Sequence, residues 1–133
     1  MITVNYVAVA VSGVAAMITG AIWYGPLFGK LWMELVGVKK EDVKKEEMPK
    51  LYGVMFVGAL VEAYVLSIFI HYAGAITLVD GIKTGVWAWL GFVGPVMLGN
   101  YMFAKRPLKL FKIDAGYALV NLVVMGAILA SIW

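Results

Sequence analysis

Long apolar runs separated by short polar connections make up almost the whole chain. Four of them, at about residues 4–24, 51–72, 82–103 and 113–133, reach the roughly 20 residues a helix needs to cross the hydrocarbon core of a bilayer. Charge enters them only at Glu62, inside the second, and at Lys83 and Asp114, near the starts of the third and fourth. The pattern predicts an all-α fold: an integral membrane four-helix bundle. Between the first two runs, Leu27 to Val36 is too short to span. It sets Leu27, Leu31 and Leu35 at i, i+4, i+8, with Lys30 and Glu34 on another face, as an amphipathic interfacial helix does. Gly37 is placed to end that helix, and the charge-rich stretch from Lys39 to Glu47 predicts a helical turn or two before Pro49, or else a solvated linker.

Composition agrees with this picture. Of 133 residues, 63% are hydrophobic and 14% charged, a balance outside that of soluble domains. Four spans and their connections use nearly the full length, which leaves room for one domain. The net charge of +3 does not point to nucleic acid, because the basic residues flank the spans instead of forming an aromatic-interleaved face. Without cysteine there is no disulfide framework, no thiolate metal site and no Cys nucleophile. No Lys or Arg precedes residue 30, so the charged start of a cleavable signal peptide is missing and the first span is expected to stay in the mature protein.

Charge also orients the spans. Lys30, Lys39, Lys40, Lys44, Lys45 and Lys50 lie between the first and second, and Lys105, Arg106, Lys109 and Lys112 between the third and fourth. The positive-inside rule makes these loops cytoplasmic and both termini extracytoplasmic, in a multi-pass protein of the cell membrane. Aromatic residues fit headgroup belts on both sides, with Trp23, Tyr24, Trp32 and Tyr52 at the cytoplasmic ends and Tyr6, Tyr72, Trp87, Trp89 and Trp133 at the outer ends. Pro26-Leu27 with Lys30-Leu31-Trp32, set against Pro107-Leu108-Lys109-Leu110-Phe111, gives the two halves a faint likeness, as in a tandem duplication of parallel hairpins.

Several short elements are spaced along the chain: Asn5-Tyr6, the run Gly20-Ala-Ile-Trp-Tyr-Gly-Pro-Leu-Phe-Gly-Lys-Leu-Trp32, Phe92-Val-Gly-Pro95, Asn100-Tyr-Met-Phe103, Arg106-Pro-Leu-Lys-Leu-Phe111, Asp114-Ala-Gly-Tyr117 and Met125-Gly-Ala-Ile128. In these the chain resembles, over essentially its full length, a prokaryotic family of small membrane proteins known only as a domain of unknown function. The resemblance implies a compact four-span protein and carries no activity, cofactor or site residue.

Among candidate residues, Glu62 stands out. It lies about 11 residues into its span, roughly 16 Å from the cytoplasmic boundary, where an acidic residue costs about 2.5–3.5 kcal/mol. It is expected to face protein or water, either as a proton- or cation-linked site or as an interhelical hydrogen-bond donor. Ser12 falls at the same depth and is its first expected partner, in a small-residue stripe with Ala16 and Gly20. Gly58, Ala59 and Ala63 are expected to let another backbone close to Glu62. Asp114, Tyr117 and Asn121 fall at i, i+3, i+7, lining one face from the interface toward mid-span, although Asp114 alone fits an ordinary helix N-cap.

Pro95 frees the carbonyl of Gly91 and predicts a kink or widened turn beside Gly94 and Gly99, with Asn100 one turn further on. His71 and Asn5 share the outer level, where a hydrogen bond between polar interface residues is expected. No catalytic constellation, metal-spaced cluster or phosphate loop is present, so no enzyme and no cofactor are expected. The leading expectation is an oligomeric proton, cation or small-solute transport unit, a homo-oligomer with Glu62 as its coupling charge. The alternative is a non-transporting module that binds lipid or a partner protein through the cytoplasmic amphipathic segment and the Lys-rich loops, to which anionic headgroups are drawn.

Overall fold

A computed structural model describes residues 3–42 and 44–132. Helix α1 (Tyr6–Ile22) runs into a π-helical turn (Trp23–Leu27) and the short α2 (Gly29–Val36). Two 3₁₀ turns, Lys40–Asp42 and Lys45–Glu47, lead into α3 (Met48–Ala73). Then follow α4 (Leu78–Ala88), a second π turn (Trp89–Val93), α5 (Gly94–Phe103) and α6 (Leu108–Ser131). The four continuous helical stretches, Tyr6–Leu27, Lys45–Ala73, Leu78–Phe103 and Leu108–Ser131, are each long and apolar enough to cross a membrane. The chain is an all-helical, four-span membrane protein. Its exterior agrees, since Val54, Val57, Val61 and Phe92 are each more than half exposed, a surface suited to lipid and not to water.

Local chemistry sets the boundaries. Asn5 caps α1, its Oδ1 accepting from the amides of Val7 and Ala8, while its Nδ2 donates to the Ile132 carbonyl and ties the start of the first span to the end of the fourth. Thr77 caps α4 through a bond from the Asp80 amide, so the third span begins at Leu78, a turn before Ile82. Gly37 adopts φ +82 at the end of α2, as expected of a left-handed cap. Pro49 stands in the first turn of α3, where its missing N–H costs no helical bond, and the charge-rich segment ahead of it forms 3₁₀ turns. Trp133 and Val43 lie outside the described residues.

Two hairpins, α1 with α3 and α4–α5 with α6, meet along α6, which also packs on α1 and α3. From Leu110 to Ala130 its only exposed residue is Lys112. In lipid no hydrophobic force draws helices together, so close packing and hydrogen bonds must do it. Between α4 and α6 the means is glycine. A Cβ at Gly81 would lie 2.1 Å from the Gly126 carbonyl oxygen, one at Gly85 2.4 Å from that of Leu122, and one at Gly126 2.2 Å from that of Gly81. Only hydrogen fits there, and the two backbones touch.

The amphipathic α2 is present, as the sequence predicts. It packs inward with Gly29, Trp32 and Met33, whereas Leu27 and Leu31 are 59% and 39% exposed. The π turn before it consumes Leu27, which breaks the i, i+4, i+8 stripe.

Candidate functional site

Polar side chains gather on the face of α6 that looks toward α1 and α3. At mid-span, Asn121 Nδ2 donates to both Glu62 Oε1 and Oε2, at 3.4 Å each. Asn121, not Ser12, is therefore the hydrogen-bond partner of Glu62. Ser12 still belongs to this level. The Tyr117 hydroxyl donates to the Ala16 carbonyl at 3.1 Å, and α1 and α6 run antiparallel, so one turn further on Ser12 stands level with Asn121. A Cβ at Gly13 would meet Leu60 at 2.7 Å, which fixes the matching level on α3.

Two atoms of this layer, Ser12 Oγ and Asn121 Oδ1, are buried without a hydrogen-bond partner. The stripe of Ser12, Ala16 and Gly20 is buried as expected. Ala59 and Ala63 are buried in the core, but Gly58 faces outward with nothing within 4 Å of where its Cβ would be.

Toward the basic loops, the same face of α6 holds a second group. Asp114 accepts hydrogen bonds from the Tyr24 hydroxyl at 2.6 Å and from the Tyr101 hydroxyl on its other oxygen. It is the seventh residue of α6, whose cap position is Pro107, so it is not an N-cap. Tyr24 meets Trp32 and Tyr117 edge-on at 5.7 and 5.4 Å, and the Arg106 guanidinium lies 5.6 Å over the Tyr101 ring. Asp114, Tyr117 and Asn121 thus share one face, as their spacing predicts.

Both π turns are tied to α6. Trp23 opens the first and donates its indole N–H to the Ile113 carbonyl at 2.9 Å; Trp89 opens the second and donates to the Ala115 carbonyl at 2.9 Å. Gly116 leaves room for the Trp23 ring, since a Cβ there would meet it at 3.2 Å. Trp89 therefore sits inside the bundle at the level of Ala115 and not in an outer aromatic belt, because α4 starts early enough to carry it three turns in. The widened turn expected before Pro95 is present, and an unexpected one surrounds Pro26, closed by the bond from the Phe28 amide to the Trp23 carbonyl at 2.9 Å. Pro107, which the likeness between the two halves sets against Pro26, takes the cap position of α6 instead of a π turn.

The remaining candidates lie apart. Asn100 faces outward on α5, away from Glu62, and His71 is exposed in the last turn of α3. The side chain of Asn5 is engaged with α1 and Ile132. Tyr24 and Tyr101 are the residues the sequence did not single out; Tyr24 stands in the Trp-Tyr-Gly-Pro run, and nothing local marks its partner 90 positions away.

Beneath α2, and between α1, α3 and α6, a cavity of about 620 Å³ reaches Asp114 and Tyr24. These features define a four-span helical membrane protein whose polar groups converge on one face of its last helix. The chain belongs to the family described as Protein of unknown function (DUF1761), matched over residues 7–130, in agreement with the resemblance read from its motifs. No curated protein and no solved structure matches it.

Proposed function

We propose that the chain is a transport unit that works as a homo-oligomer in the cell membrane, with Glu62 carrying the charge coupled to movement of a proton, a small cation or a solute. The mid-span layer carries this reading. A carboxylate there costs about 2.5–3.5 kcal/mol, yet here it is met by one amide at the long limit of a hydrogen bond. Beside it, the buried Ser12 Oγ and Asn121 Oδ1 lack protein partners. A structural polar cluster would pair such atoms, and a resident proton, water or cation satisfies them instead.

Tyr117 and Asp114 continue the polar face toward the basic loops. On the other side, the buried Leu66, Ile70, Met125 and Leu129 close the way within one copy. Glu62 itself is half-buried at the edge of α3, so a pathway completed between copies is the economical arrangement.

The test is flux of protons or cations into liposomes holding the purified protein, wild type against Glu62→Gln, across pH. Flux that is lost in the mutant, with folding and oligomer size retained, is the expected result. Absence of flux in both removes the reading and leaves Glu62 as part of an interhelical contact.

A second reading has its own support. Lys30, Lys39, Lys44, Lys105 and Arg106 are all exposed in the two connections between spans, where anionic headgroups would meet them. A module that acts by binding such lipid should lose that binding at high salt.

A further inference from the structure

We infer that the cavity beneath α2 is a binding site for a lipophilic organic cation, a ligand with an apolar, ring-bearing body and one delocalised or quaternary positive charge. The cavity of about 620 Å³ lies within the range that holds drug-sized ligands. Its walls are mainly apolar and include four of the chain's eight methionines, Met17, Met33, Met48 and Met55. Unbranched thioether side chains repack around bodies of different shape, which suits a site that selects by class and not by outline.

The charge in this wall decides the sign of the ligand. Among the described residues, Asp114 is the one charged residue that lines the cavity. Two hydroxyls donate to its two oxygens, and a carboxylate has about four lone-pair positions, so acceptor capacity remains. Hydroxyl donors orient the group without cancelling its charge. Tyr24 and Trp32, in edge contact at 5.7 Å, add ring faces that attract a cation.

An anion would meet the carboxylate in a low-dielectric wall, and a neutral lipid tail would leave it without a counter-charge. A bare metal ion would need several hard ligands, and among the described residues no group of three His, Cys, Asp or Glu could hold one. Lys39 and Lys50, both exposed, do not line the cavity. This site is separate from the layer at Glu62, and binding here requires no transport.

The test is equilibrium dialysis of the purified full-length protein in detergent against tetraphenylphosphonium, with tetraphenylborate as the probe of the same shape and opposite charge. No gradient is present, so the outcome is independent of the flux measurement. Saturable binding of the phosphonium and none of the borate is expected. Asp114→Asn should weaken it by about tenfold or more, the loss of a charge partner in an apolar wall. Met55→Trp, which fills the cavity and leaves the carboxylate in place, should weaken it as well, and decides the matter if Asp114→Asn does not fold. Equal binding of both probes, no saturable binding, or unchanged affinity in a folded Asp114→Asn or Met55→Trp protein overturns the assignment.

Discussion

Two seams run along α6, and they are built in opposite ways. Against α4, glycines on both helices bring backbone onto backbone and leave no room for a side chain. Against α1 and α3, the contact is held apart by Tyr117, Asn121, Trp23 and Glu62, whose polar atoms reach across, and a cavity opens at one end. In a solvent as apolar as the residues themselves, the first seam gains from dispersion contact and backbone proximity, the second from hydrogen bonds. The closed seam can only hold. The open one also has unfilled hydrogen-bonding capacity, at Ser12 and Asn121, and that is where chemistry can occur.

The sharpest way to break the contrast is one added methyl. Gly126→Ala sets a Cβ 2.2 Å from the Gly81 carbonyl oxygen, where both sides are backbone and neither yields. A loss of about 3 kcal/mol or more is expected in reversible unfolding in mixed micelles. A loss under 1 kcal/mol would mean that the seam is not closed.

Removal of an atom from the open seam should act in the other direction. Ser12→Ala deletes a buried hydroxyl that has no protein partner, so stability should rise by about 1 kcal/mol in the same assay, while flux falls if the layer carries ions. Loss of stability would show that Ser12 is held by an interaction the fold requires.

The smallest effect compares the two indole bonds. Trp23→Phe and Trp89→Phe each remove one hydrogen bond to an α6 carbonyl, worth about 0.6–1.7 kcal/mol in a membrane. Similar losses in both, read from unfolding midpoints, would make the two π turns equivalent anchors. A large effect at one alone would assign the holding of α6 to that turn.

Much of this architecture was legible because lipid enforces simple rules. Four spans, the buried stripe of Ser12, Ala16 and Gly20, the polar face of Asp114, Tyr117 and Asn121, and the widened turn before Pro95 all follow from length, helical spacing or the chemistry of one residue. What escaped depends on azimuth, which depth alone does not give. Ser12 and Asn121 both lie level with Glu62, and only the packing of α6 between α1 and α3 selects Asn121 as the partner. Asn100 has the right residue type and the wrong side of its helix.

The glycine seam did have a signal, Gly81 and Gly85 four apart, but Lys83 between them made that stretch read as the edge of a span. The joining of Tyr24 and Tyr101 on Asp114 had none, since it unites three helices without any periodic pattern.

The second π turn has a further effect, on angular phase. A regular α-helix advances about 100° per residue, and the extra residue held in Trp89–Val93 retards everything after it by about that angle. Counted from Gly81, which meets α6, an unbroken helix would carry Tyr101 to the far side; the retardation brings it round toward Asp114. The third span therefore behaves as two helices of different phase, the first aiming hydrogen and the second a phenol at the same neighbour. A single residue lost between them would leave the composition almost unaltered and set the two halves out of step.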